Sequence, residues 1–139
     1  MYVLDTDILS LLQQGHQKVQ ENLAACEDAN VVTTVISQVE ILRARFDYLM
    51  KAKDGQQLQN AQHWLRLSMQ LFDTMTIVSI STDAAAEFDR LLQAKGLRKI
   101  GRGDLLIACI AIAHKAIVVT RNVKDFSLVP GLQIVNWAK

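Results

Sequence analysis

The chain is short of the residues that build stapled, fibrous or secreted frameworks. It has one proline and six glycines in 139 residues, which excludes collagen-like and low-complexity architectures. It has two cysteines, Cys26 and Cys109. Neither belongs to a Cys-x-x-Cys or Cys/His pattern, so no disulfide scaffold or zinc ribbon is encoded, and both read as reduced, buried thiols. The three histidines, His16, His63 and His114, are isolated in sequence and read as surface or helix-end residues. Charge of one sign is also missing. The formal net charge is +1, so no broad basic face exists, and a nucleic-acid substrate would have to be met by local cations and by metal. Long hydrophobic runs are absent too. The longest, residues 105–113, falls well short of the ~20 apolar residues that span a bilayer. Asp5 and Asp7 interrupt the first apolar stretch, so no signal peptide is expected. The expectation is a cytoplasmic protein with no membrane contact.

Half of the chain is apolar, and its length falls within the usual range of one domain, residues 1–139. Tyr2-Val3-Leu4 reads as a short buried strand running into Asp5-Thr6-Asp7, which can cap a helix from about Ile8. Gly15 ends that helix and another follows over 17–25. The β-branched run 31–34 predicts a second strand. A helix over 37–50 follows, with Val39, Leu42, Phe46, Leu49 and Met50 on its apolar side. Asp54-Gly55 marks a turn before a helix over 57–72, whose stripe is Leu58, Ala61, Leu65 and Leu71. A strand over 76–80 and a helix over 82–95, stopped by Gly96, come next. Residues 103–114 are apolar almost all round and predict a helix buried in the centre. Residues 117–120 form a strand with no alternation, as when both faces are covered. After the Pro130-Gly131 turn, 132–135 give a last strand. The alternation implies an α/β fold, a parallel sheet of four to five strands flanked by helices. In such sheets ligands bind beyond the carboxyl ends of the strands.

Four acids stand where apolar segments meet polar ones: Asp5, Glu40, Asp104 and Asp125. Gathered together, they would repel one another unless a divalent cation sat among them. Each also has a structural explanation. Asp5 can cap the first helix, and Asp7 can cap or orient Asp5. Ser37-x-x-Glu40 matches a capping box, in which Glu40 would reach back to the N-cap amide. Asp104 follows Gly101-Arg102-Gly103 and can be an N-cap, although a carboxylate beside so apolar a helix is costly unless paired. Asp125 and Asn122 can be turn formers in a polar loop. The cations nearby divide in the same way. Arg102 and Arg121 are equally candidates for phosphate contacts or for neutralising the acids. Arg43, Arg45, Arg98, Lys99 and Lys124 read as solvated charge or ion pairs.

Four segments taken together point further. Val3-Leu4-Asp5-Thr6-Asp7-Ile8-Leu9, Ser37-Gln38-Val39-Glu40-Ile41-Leu42, Gly103-Asp104-Leu105-Leu106-Ile107-Ala108 and Val119-Thr120-Arg121-Asn122-Val123-Lys124-Asp125-Phe126 resemble, in order and spacing, the PIN domain. More narrowly they resemble the VapC-type ribonuclease toxins of type II toxin–antitoxin pairs. The likeness covers essentially the whole chain. It implies a Mg²⁺-dependent endoribonuclease, with Mn²⁺ able to substitute, and metal ligands at Asp5, Glu40 and Asp104. It further implies an RNA substrate, a cognate antitoxin that blocks the acidic site, and a homodimer. The family often has a fourth acid directly after the strand. Here Asn122 stands there and Asp125 follows one turn later, which leaves the fourth position and the number of ions open.

Two other functions are compatible with parts of this pattern. Asp5-Thr6-Asp7 after a strand is similar to the start of haloacid dehalogenase-type phosphatases, but Ile8-Leu9 replaces the usual Gly-Thr. A non-catalytic PIN-like module that binds RNA or protein would have no use for Asp5, Glu40 and Asp104 together.

Overall fold

The computed structural model describes residues 1–27 and 30–139. Its centre is a five-stranded sheet in the order β3-β2-β1-β4-β5. The strands are β1 (Tyr2–Leu4), β2 (Val31–Thr34), β3 (Ile77–Val78), β4 (Ile117–Val119) and β5 (Gln133–Val135). Every pairing is parallel, with Val3 beside Val32 and Val118 and Leu4 beside Val119. The helices among the described residues are α1 (Thr6–Gln13), α2 (Gln17–Ala25), α3 (Val35–Met50), α4 (Gly55–Asp73), α5 (Thr82–Leu92), α6 (Arg102–Ala113) and α7 (Val123–Phe126). The expected α/β fold with a parallel sheet is thus observed.

Successive strand side chains point to opposite faces, and this splits the core in two. Val3, Val32 and Val118 join Leu91 of α5 and Ile107, Ala108 and Ala111 of α6 on one face. Leu4 and Val119 join Ile8 and Leu9 of α1, Val19 of α2, Ile41 of α3 and Phe72 of α4 on the other. Helix α6 is the most enclosed of the described helices, with Leu105 and residues 107–111 all buried. Its nearly uniform apolar surface is what the sequence led one to expect of a central helix. No helix among the described residues is long and apolar enough to cross a membrane.

Several boundaries differ from expectation, each for a local reason. Helix α3 begins at Val35 because Thr34, not Ser37, is its N-cap: the Thr34 hydroxyl accepts from the Ser37 amide at 3.1 Å. Ser37 is therefore inside the helix and buried. Strand β3 shrinks to two residues at the sheet edge. Helix α5 stops at Leu92, before Gly96, whose φ of +89° fits a residue without Cβ. The loop expected at 122–126 contains the short helix α7.

The apolar side assigned to α3 also needs correction. Val39, Phe46 and Met50 are 49%, 52% and 66% exposed, and Leu58 of α4 is 49% exposed. The core face of α3 is Ser37 and Ile41, with Ile36 and the expected Leu42 partly buried against the core. Helices α3 and α4 pack chiefly against each other, so much of their apolar surface faces away from the sheet. Arg45, expected to be solvated, is half-buried between them. It donates to Ser68 Oγ at 3.2 Å and to Gln13 Oε1 at 3.1 Å, with its guanidinium 5.3 Å from the Trp64 ring centre.

Candidate active site

The chain leaves β1 to build β2 and β3 on one side, then returns to build β4 and β5 on the other. The connections therefore diverge at the carboxyl ends of β1 and β4, which opens a crevice there. Asp5 is the first residue after β1, and its amide donates to Val119 O of β4 at 3.1 Å. Thr120 and Asn122 follow β4, and Thr34 leads β2 into α3. Helix α6 approaches the same edge with its first turn, which carries Asp104.

Asp5 is both cap and candidate ligand. Its Oδ1 accepts from the Ile8 amide at 2.9 Å, and the residue is only 4% exposed. Burial pushes its carboxyl up to about 6, against the lowering effects of the Thr120 hydroxyl and the Ile8 amide. The nearby charges of Asp7 and Asp104 push the same way as burial. Asp104 is half-buried and is the third residue of α6, not its N-cap, which is Gly101. Its carboxyl is also raised, first by burial and then by Glu40, Asp125 and Asp7, while the Asn122 side chain opposes the shift.

Asn122 is more than a turn former. Its side-chain amide donates one hydrogen bond to Asp104 Oδ2 and one to Asp125 Oδ2, each 3.1 Å long. A primary amide has two N–H donors, so one side chain ties the two carboxylates together. The Asn122 backbone amide is fixed in turn by the Thr120 hydroxyl at 2.9 Å. Asp125, in α7, is thereby held beside Asp104.

Glu40 does not form the capping box that its spacing allowed. With the helix starting at Val35, Glu40 lies in the second turn and accepts from the Thr6 hydroxyl at 2.9 Å; Ser37 Oγ is 3.0 Å from the same hydroxyl. Gly103 fits closely against it. A Cβ on Gly103 would sit 3.2–3.4 Å from the Glu40 carboxylate. Asp7, expected to cap or to orient Asp5, instead accepts from Arg121 Nε at 2.7 Å. Arg121 thus neutralises an acid at the rim. Arg102 turns the other way, with its guanidinium 5.1 Å from the ring centre of Phe88 on α5.

The fold accordingly joins Asp104 to Asp125 through Asn122, and brings Asp5 near enough to Asp104 for their charges to oppose each other. It places Glu40 against the same helix turn. Among the described residues no three His, Cys, Asp or Glu side chains come close enough together to hold a metal ion between them. An open set of hard oxygen donors suits Mg²⁺, which takes one or two carboxylates directly and keeps several waters. The raised Asp5 and Asp104 carboxyls reflect burial first and acidic neighbours second, and a divalent cation would favour the ionised form against both. Sequence reasoning missed Thr6 and Thr120 and the clamp made by Asn122. No pattern could have shown Thr6, because its partner Glu40 lies on a different element after β2.

A five-stranded parallel sheet between helices, with Asp5, Glu40, Asp104 and Asp125 all near its carboxyl edge, defines a small α/β protein with an acidic crevice. The PIN domain model matches residues 2–132, and the chain belongs to the PIN domain family. The protein named ribonuclease VapC2 of Rickettsia felis is 31% identical over 100% of this chain and 99% of its own. The structure of VapBC2 from Rickettsia felis, bound to a DNA fragment from its promoter, superposes with a TM-score of 0.74 at 27% identity, covering 98% of each chain. VapBC-1 from nontypeable Haemophilus influenzae shares the fold at a TM-score of 0.80 and 24% identity, covering 99% of this chain and 98% of that one.

Proposed function

We propose that the chain is an endoribonuclease that hydrolyses RNA phosphodiester bonds with a divalent cation, Mg²⁺ or Mn²⁺, and acts as the toxin of a toxin–antitoxin pair. One observation carries the reading: Asp5 and Asp104, both with raised carboxyls, share the carboxyl edge of the sheet with Glu40 and Asp125. When bound, the cation supplies a water of lowered pKa and neutralises charge developing on the phosphorus centre and the leaving oxygen. Asp5 and Asp104 would be its direct ligands. Asn122 keeps Asp104 and Asp125 together, and Glu40, held by Thr6, orients the attacking water. No protein nucleophile is needed. Arg121, paired with Asp7 at the rim, and Arg102, over Phe88 on the α5 side, are the cations nearest the site for substrate phosphates.

The ribonuclease name of the Rickettsia felis relative and its VapB-bound structural counterpart support the substrate and the partner. A cognate antitoxin would cover the acidic edge. A second copy of the chain is the other expected partner, and the exposed Phe46, Met50, Leu58 and Met69 give α3 and α4 apolar surface for protein contacts.

The test uses purified protein freed of any inhibitor. It should cleave RNA with Mg²⁺ or Mn²⁺, stop in EDTA, and lose cleavage in Asp104→Asn while circular dichroism stays native. Normal cleavage by Asp104→Asn would sink the site assignment. RNA binding without cleavage under any metal would favour a binding module instead.

A further inference from the structure

Between Arg90 and Arg102 the chain carries five cations, Arg90, Lys95, Arg98, Lys99 and Arg102, and no carboxylate. The whole chain is only +1, so the remainder is net −4 once these five are set aside. All five are exposed. Arg90 is tied to Glu87 at 2.7 Å, and Arg102 is steadied over Phe88. Lys95, Arg98 and Lys99 have no ion-pair partner among the described residues. Surface charge that serves only solubility is usually mixed in sign; here it is segregated.

The segment is also held in shape. Leu97 and Ile100 are buried in the core beside Leu91 and Leu105. Anchoring these two positions leaves Arg98 and Lys99, between them, facing solvent. A cleft of about 610 Å³ lies at the α5–α6 connection, lined by Lys95, Arg98 and Arg102 among others. The segment then runs through Gly101 and Gly103 to Asp104, with Gly103 against Glu40. An uncompensated cationic surface therefore adjoins the acidic edge without a break in the chain.

We propose that the α5–α6 connection is a docking surface for the phosphodiester backbone of single-stranded RNA. Lys95, Arg98 and Lys99 take phosphates outside the acidic edge, and Arg102 takes one at the junction. This rests on the ribonuclease reading and extends it to the path of the substrate. A polyanion fits better than a protein, because the exposed side chains here are cations with little apolar surface beyond Leu92. Contacts of this kind position a strand without reading its sequence.

The experiment follows binding of a fluorescein-labelled 20-nucleotide RNA to the full chain in EDTA, over a range of KCl concentrations. Each phosphate contact on a single strand contributes roughly 0.7 to the slope of log K against log salt, so K95A/R98A/K99A should lower the slope by about 2. Its affinity at low salt should fall at least tenfold, and its KM for the same RNA with Mn²⁺ should rise similarly while kcat changes little. A charge-matched control, K51A/K53A/R66A on the α3–α4 pair, should keep the native slope. An unchanged slope in the loop variant, or an equal loss in the control, overturns the proposal. If the slope falls as expected but no metal elicits cleavage, the docking surface stands and the ribonuclease reading fails. If RNA is cleaved while the loop variant keeps native slope and KM, the reading stands and this surface falls.

Discussion

Asp5→Asn should abolish cleavage and also make the metal-free protein more stable at neutral pH. Asp5 is 4% exposed, and its carboxyl is raised from 3.8 to about 6, mainly by burial. A raised carboxyl means that the folded state holds the proton more tightly than the unfolded chain does. Stability is then fullest below the unfolded value and is lost as pH rises from about 4 through about 6. At roughly 1.4 kcal/mol per unit, ionised Asp5 costs the metal-free fold about 3 kcal/mol at pH 7.5. That is a sizeable share of a typical ~5–15 kcal/mol. Asparagine removes the charge and keeps an oxygen to accept from the Ile8 amide. It weakens the hydrogen bond with Thr120 by about 1 kcal/mol, so a net gain of about 2 kcal/mol remains. Urea unfolding in EDTA at pH 7.5 should show this gain, and the gap should narrow as pH falls toward about 4. Excess Mn²⁺ should stabilise the native chain, by its preference for the folded state, and Asp5→Asn much less. If Asp5→Asn is no more stable than the native chain at pH 7.5, or if the gap ignores pH, burial of an uncompensated carboxylate is not what this site contains.

Other positions separate catalysis from stability in different ways. Gly103→Ala should gain up to about 1 kcal/mol of helix propensity while its Cβ displaces the Glu40 carboxylate, so thermal melts should hold or rise as cleavage falls; unimpaired cleavage would refute the close fit. Asn122→Ala releases Asp104 and Asp125 at once and should raise the Mn²⁺ dissociation constant, read by calorimetry, by roughly tenfold; native affinity would mean that the clamp is incidental. Thr6→Val should lower kcat by roughly tenfold through loss of the Glu40 hydrogen bond, with Thr6→Ser largely restoring it. Ile107→Ala, in the most enclosed part of α6, should cost about 2–5 kcal/mol in urea unfolding without altering kcat of the folded fraction.

Much of the fold is legible in the chain because its signals are local. The β-branched runs at β2 and β4 and the all-round apolar character of α6 each arise within a few residues. The errors came where two local signals competed. Residues 31–34 read as strand and Ser37 as the cap, yet Thr34 is both the end of β2 and the cap of α3, which leaves Ser37 buried inside the helix. Val39, Phe46 and Met50 looked like a core stripe, but apolar periodicity does not say which surface an amphipathic helix meets. In this chain α3 meets α4 more than it meets the sheet.

The acids divide along the same line. The sequence by itself determined that four carboxylates would stand at the ends of apolar segments, and that a parallel sheet would bring such ends to one edge. It also fixed the segregation of cations before Asp104. It could not decide which acids share an environment, because that depends on strand order and helix rotation. Only the tertiary structure buried Asp5 beside β4, turned Glu40 from a cap toward Thr6, spent Asp7 on Arg121, and joined Asp104 to Asp125 through a single amide. Those contacts link residues distant in the chain, and their energies depend on burial and on neighbouring charge, neither of which any local spacing encodes.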